Sequence, residues 1–287
     1  MNGLLFLNRI DATFEKLRSA KRKGFIPYIC AGDPDLSTTV ELSLALAEAG
    51  SDILELGVPF SDPLADGIVN QLAAQRALSA GATVRGVLDC VRKIRSGAGR
   101  AVRSEIPIVL YTYLNPIIQF GFEQFHEEAS AAGVDGLLIL DLPPEEEASS
   151  LGLPHIRLIA PTTSPERIAR IADGARGFLY YVSREGVTGV QETVASSLED
   201  RIEEIRKVSD LPVAVGFGIS TPAQAKAVAR QADAVVVGSA IVSLIAKHGR
   251  QSVSEVREFA SALIKAIRMT DDQPSPRSPT ARQPNDG

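Results

Sequence analysis

Short apolar runs rich in β-branched residues recur along the chain and alternate with segments whose apolar residues repeat every three or four positions. That rhythm marks βαβ units: a strand covered on both faces is nearly all hydrophobic, whereas the helix that follows carries one apolar stripe. The runs predict eight strands, at 25–31, 52–57, 107–113, 135–140, 155–160, 177–182, 212–216 and 233–237. Helix starts carry their own signals. Thr38 with Glu41 and Thr221 with Gln224 have capping-box spacing, and Pro165 and Pro222 sit where a first helical residue needs no N–H. Ahead of the first strand, Ile10, Phe14 and Leu17 share one stripe, which predicts an extra helix able to plug one end of a barrel.

Eight βα units fit either an open doubly wound sheet or a closed barrel. A dinucleotide-binding sheet places GxGxxG after its first strand, whereas this chain has the rigid turn Gly32-Asp33-Pro34 there and its glycine clusters near the other end. The expected fold class is therefore α/β, a (βα)₈ TIM barrel, as a single domain over 1–269 with the extra N-terminal helix. From Asp271 the chain reads DDQPSPRSPTARQPNDG, almost without apolar residues, and 270–287 is expected to be a disordered tail. Residues 97–104 form a second region without periodicity.

Composition narrows the chemistry. Lys+Arg 30 against Asp+Glu 35 gives a net charge of −5, which leaves no long basic face for a nucleic acid. Cys30 and Cys90 are isolated in apolar segments without metal-ligand spacing, so reduced buried thiols, no metal site and a cytoplasmic location are expected. The Leu4–Leu7 apolar run is too short for an export signal, and no stretch approaches the roughly 18 apolar residues of a membrane span. His126, His155 and His248 are scattered and read as surface or satisfied structural residues.

Three glycine-bearing turns follow the last three predicted strands: Gly186-Val187-Thr188-Gly189, Gly216-Phe217-Gly218 and Gly238-Ser239. Any one could simply end a strand. Together, at the C-terminal face of a barrel, they suit an anion nest of backbone N–H groups, with Ser239 opening a short helix whose N-terminus faces a phosphate. Strand alternation puts Glu55 on the face of Ile53, toward the barrel mouth, where low polarity would raise its pKa into the range of a group that both donates and accepts a proton. A structural carboxylate fits the same position equally well. The loop 58–67 is long and rich in turn formers; its Asp66 could be a second chemical group or the N-cap of a helix whose stripe is Val69, Leu72 and Ala73.

The segment LELGVPFSDPLADG (54–67) resembles the signature of the tryptophan synthase alpha subunit family. AGDP (31–34), YLNP (113–116), GVDGLLILDLPPEE (133–146), APTT (160–163), SREGVTG (183–189), VGFGIS (215–220) and GSAIV (238–242) join it in order, covering about residues 8–268. The resemblance implies retro-aldol cleavage of indole-3-glycerol phosphate to indole and glyceraldehyde 3-phosphate. It makes Glu55 the general acid/base and Asp66 the acceptor of the indole N–H. It assigns the phosphate to Gly189, Gly218, Gly238 and Ser239, and the substrate pocket to Phe25, Tyr113, Leu138, Tyr180, Phe217 and the loop residue Thr188. It also implies a β subunit partner, in an α2β2 assembly, that meets Pro59, Asp62 and Asn115 and carries the pyridoxal phosphate, this chain having no cofactor of its own. The sequence departs from the family pattern at Ile68, where proline is usual, at Asn70, commonly aliphatic, and at Tyr111, which is bulkier than the usual filling. Alternative readings to separate by assay are a free-standing lyase that releases indole, a weakly catalytic subunit that activates its partner, and another phosphate-binding barrel such as a sugar-phosphate isomerase or epimerase.

Overall fold

The structure, a computed structural model, describes residues 8–99, 104–146, 152–183, 191–216 and 218–269, with the backbone alone for 191–197. The expected tail lies outside the described residues. All eight predicted runs form strands: β1 Gly24–Cys30, β2 Leu54–Gly57, β3 Ile108–Thr112, β4 Gly136–Ile139, β5 Arg157–Ile159, β6 Leu179–Val182, β7 Val213–Gly216 and β8 Ala234–Val237. Among the described residues the helices are α1 Arg9–Ser19, α2 Leu36–Ala49, α3 Ile68–Ser79, α4 Val84–Arg95, α5 Leu114–Phe120, α6 Phe122–Ala132, α7 Pro165–Ala172, α8 Gln191–Val208, α9 Pro222–Ala229, α10 Ser239–His248 and α11 Ser252–Arg268.

The strands are parallel, in the order β4-β3-β2-β1-β8-β7-β6-β5. β1 and β8 pair over Gly24↔Ala234 to Pro27↔Val237, so the ends of the sequence meet in mid-sheet. The ring closes between β4 and β5 through the isolated bridge Leu137↔His155, with Leu137 N–H donating to Pro154 O (2.9 Å) and Ile156 N–H to Leu137 O (2.7 Å). The result is a (βα)₈ barrel.

Strand alternation sorts the side chains into two cores. Ile26, Ile53, Val109, Leu138, Ile156, Phe178, Ala214, Ala234 and Val236 form an inner cluster, while Leu54, Leu56, Ile108, Leu110, Val235 and Val237 pack outward against the helices. The expected pocket residue Phe25 belongs to the outer set, packed with its pairing partner Val235. It is corrected to a core residue. The β1 side chain facing inward at the mouth is Tyr28, an odd number of positions away.

The N-terminal stripe behaves as predicted. α1 buries Ile10, Phe14 and Leu17 against the inner cluster, with the Phe14 and Phe178 rings 5.6 Å apart. Backbone alone makes room for this plug: a Cβ on Gly136 would lie 2.9 Å from Ile10 Cδ1, and one on Gly24 would lie 3.1 Å from Leu17 Cδ1. At the same end, Asp135 is buried and fully engaged. Its carboxylate accepts from the Arg9 guanidinium (3.0 Å), from Arg95 (2.5 Å) and from the Ile108 N–H (2.8 Å).

Two helix starts match their sequence signals: Thr221 forms a reciprocal capping box with Gln224, and Pro165 follows the N-cap Ser164. The third differs. α2 is capped by Asp35, whose Oδ1 accepts from Thr38 N–H at 2.8 Å, and Thr38 lies buried within the helix. An aspartate three residues ahead offers a charged acceptor to the same orphan N–H and wins.

Candidate active site

Because every strand runs the same way, all the turns from strand to following helix gather at one rim, and the candidate groups sit on those turns or within the strands that lead to them. Glu55, on β2, pairs in register with Tyr28 and Val109 and points to the interior as its parity requires. It is 1% exposed, and its Oε1 has no hydrogen-bond partner among the described residues. Burial pushes its carboxyl up from the ordinary 4.5 to about 8, because the charged form loses its hydration there.

Asp66 is not a helix cap. α3 starts at Ile68 with Gly67 as N-cap and no side-chain cap bond, so the missing proline leaves the helix start in place. The buried face of α3 is Ala73, Ala74 and Ala77, and Leu72 of the expected stripe is turned outward. The Asp66 carboxylate is held instead by two phenols of β3 and its end: Tyr111 Oη donates to Oδ1 and Tyr113 Oη to Oδ2, each at 2.9 Å. Tyr113 Oη in turn accepts from the Ala65 N–H at 3.0 Å, tying the loop to the strand. Desolvation raises the Asp66 pKa, against the lowering pull of the Tyr113, Tyr111 and Asn70 hydrogen bonds.

The two acids share one interior. Tyr28 and Tyr180 are each pushed well above the ordinary phenol pKa, first by burial, then at Tyr28 by Cys30, and at both by negative charge on Asp66 and Glu55. The Tyr28 and Tyr111 rings meet edge to face, 5.0 Å apart at 67°. Glycine is required beside them: a Cβ on Gly57 would come within 2.5 Å of Tyr28 Oη, and one on Gly216 within 2.4 Å of Tyr180 Oη. Leu138 and Tyr180 belong to the inner cluster, with Tyr111, Leu140 and Leu158 beside them.

Of the expected phosphate groups, Gly238 is the N-cap of α10 and Ser239 its first residue, which leaves that helix's leading N–H groups directed at the rim. Gly218 has φ +65, a conformation that glycine adopts freely, and a Cβ there would meet nothing within 4 Å. Gly189, Thr188 and Phe217 lie outside the described residues.

Around the mouth, Asp62 and Asn115 are exposed and Pro59 is buried. Sequence reading missed the exposed apolar side chains beside them: Leu64 (92% exposed), Ile68 (66%), Leu72 (46%) and Ile118 (55%). A hydrophobic residue inside a turn-rich loop was the available signal.

Elsewhere, Cys30 and Cys90 are free and buried, with burial pushing their thiols up to about 12 and about 11. His126 and His155 are buried with Nε2 atoms 3.2 Å apart, each a structural partner of the other. No cluster of three or more metal-ligating side chains occurs among the described residues. None of their helices is long and apolar enough to cross a membrane.

Fold and rim together define a (βα)₈-barrel enzyme with acids on and after β2 and glycine turns after β7 and β8. The profile of the tryptophan synthase alpha chain family matches residues 14–269. The tryptophan synthase alpha chain of Geobacter sulfurreducens is 50% identical over 268 residues, spanning 91% of this chain and 99% of that one. The alpha chain of Opitutus terrae is 51% identical over 245 residues, covering 83% and 90%. A crystal structure of the alpha chain from Legionella pneumophila superposes with a TM-score of 0.81 at 40% identity, over 91% of this chain and 97% of that one. The chain belongs to the tryptophan synthase alpha chain family. That family is a lyase of tryptophan biosynthesis: it cleaves indole-3-glycerol phosphate and works with a β subunit that holds the pyridoxal phosphate.

Proposed function

We propose that Glu55 and Asp66 carry the cleavage of indole-3-glycerol phosphate to indole and glyceraldehyde 3-phosphate. The observation that carries this reading is the buried carboxyl of Glu55, whose Oε1 has no hydrogen-bond partner among the described residues and whose pKa is raised by burial to about 8, which keeps it protonated at neutral pH. It gives its proton to C3 of the indole ring, and Asp66, ionised, accepts a hydrogen bond from the ring N–H and stabilises the positive charge that develops there. The Glu55 carboxylate then takes the proton of the C3′ hydroxyl. As that oxygen becomes a carbonyl, the bond between C3 and C3′ breaks and its electron pair returns to the ring, which leaves as indole. Glu55 ends protonated, as it began.

The aromatic ring would lie against Leu138, Tyr180 and Tyr113. The phosphate would be held by N–H groups at Gly218, Gly238 and Ser239, together with Gly189, under a loop that includes Thr188 and beside Phe217. The chemistry needs only proton transfer and charge stabilisation, which side chains supply, so this chain uses no cofactor of its own. We assign the β subunit to the rim carrying Asp62, Asn115, Leu64, Ile68 and Ile118, in an α2β2 assembly. The chain functions as one cytoplasmic domain over 1–269 with 270–287 outside it.

The test is indole release from indole-3-glycerol phosphate by the purified chain, alone and with a β subunit. Cleavage in either condition, stimulated by the partner, is expected. Turnover no faster than the uncatalysed reaction in both would overturn the assignment, and turnover of pentose phosphates in its place would favour the isomerase reading.

A further inference from the structure

We propose that Tyr111 is a positioning residue for the reaction: its phenol fixes the carboxylate of Asp66 in the plane that receives the ring N–H. The inference rests on the functional reading above and deepens it at one side chain.

Asp66 sits on a long loop, a poor platform for a group that must be placed within a fraction of an ångström. Its two oxygens are each claimed by a phenol from a different rung of the same strand segment, Tyr111 on Oδ1 and Tyr113 on Oδ2, both at 2.9 Å. Two hydrogen bonds at two oxygens fix both the position and the rotation of a carboxylate, whereas one leaves it free to turn. The two phenols are not equivalent. Tyr113 also accepts from the Ala65 N–H, so it holds the loop as well as the acid. Tyr111 reaches Asp66 from the barrel interior, its ring fixed edge to face against Tyr28 and its backbone in register with Gly57. It is the inner of the two supports, on the side where a ring seated against Leu138 and Tyr180 would lie.

A carboxylate oxygen offers two lone pairs, so one phenol on each still leaves each oxygen able to accept an incoming N–H. Ionised Asp66 is the reactive form, and Tyr111 favours that form because a phenol donates to the charged carboxylate. The other groups facing Asp66 are Tyr113 of the same strand segment, Asn70 of α3, and at longer range Tyr28 and Cys30 of β1 and Tyr180 of β6. Tyr111 itself is held protonated by burial and by the charge of Asp66, so it remains a donor across the working range.

The experiment compares wild type with Tyr111→Phe, which keeps the ring and removes only the donor. The assay is steady-state cleavage of indole-3-glycerol phosphate by the chain with its β subunit, from acid to neutral pH. Losing a hydrogen bond to a charged group should lower kcat roughly tenfold, with KM changed less than about twofold, because the contact matters most when the ring becomes positive. The acid limb of the kcat profile should move to higher pH, since Asp66 without this donor gains its proton more readily. Tyr111→Leu, which also removes the ring, should show the same shift in the acid limb with a larger rise in KM. A Tyr111→Phe enzyme with wild-type kcat and an unmoved acid limb overturns the proposal, as does a loss of kcat with the limb unmoved, which marks packing alone. Failure of the wild type to cleave the substrate overturns the functional reading instead, and is seen before any variant is compared.

Discussion

Asp135, just ahead of β4, and Glu55, within β2, are both buried carboxyls, and their surroundings are opposite. Asp135, at the plugged end of the barrel, is met by two guanidinium groups and a backbone N–H. Glu55, toward the mouth, is equally inaccessible and has an oxygen with no partner among the described residues. A buried charge left unpaired is unfavourable, and the group responds by holding its proton. The difference teaches where each end of the barrel places its polar groups: at the closed end they hold strands and helix together, and at the open end one is kept reactive at the expense of stability.

Several measurements can break this contrast, beginning with the largest effect. Glu55→Gln should lower indole formation by roughly 10²–10⁴-fold, while its denaturation midpoint at pH 8 should exceed that of wild type, because the variant has no carboxyl to ionise on unfolding. An active Glu55→Gln enzyme would remove the acid/base role. Asp135→Ala should behave in reverse: it leaves Arg95, whose side chain is only 13% exposed, without its buried counter-charge, and breaking such a pair costs about 3–5 kcal/mol. Urea denaturation should show that loss, with kcat per folded molecule near wild type at temperatures where it remains folded.

The pH dependence sharpens the same point. The folded Glu55 holds its proton up to about 8, whereas the unfolded chain releases it near the ordinary 4.5. Folding therefore binds a proton throughout that interval. The Glu55 contribution makes stability fall as pH rises from 4.5 to about 8, and then level off. Subtracting the Glu55→Gln curve from the wild-type curve should isolate that slope; parallel curves would show that Glu55 is not buried and unpaired in solution. The cleavage rate should fall above about 8 as the acid ionises. The smallest effect tests the scaffold: Thr221→Ala removes the capping box of α9 and should cost about 1 kcal/mol, measured by thermal or urea unfolding, with no change in the pH at which activity falls.

The barrel was legible because its signal is repeated: eight apolar runs bounded by turn residues predict eight strands, and small errors at their ends do not alter the count. The plug was legible for a related reason, since Ile10, Phe14 and Leu17 carry a helical stripe that nothing else explains. Local choices were less visible. At the start of α2, the spacing of Thr38 and Glu41 suggests one cap, and only the geometry gives the Thr38 N–H to Asp35. Phe25 was placed on the wrong face by resemblance, although its parity against Ile26 already put it with the outer core. The inward direction of Glu55 followed from strand alternation, but the absence of a partner for its Oε1 among the described residues could not, because an absence is a property of the surrounding shell. The phenols on Asp66 lie 45 and 47 residues away in sequence. Their spacing of two in a strand places both on one face, but it does not say what they reach.

The packed stripe of α1 gives the barrel a solid floor, so the interior is a cup with one opening. Whatever is released inside must depart over the same lip by which its precursor entered. A second protein seated on that lip would then decide whether the small aromatic product reaches bulk water at all.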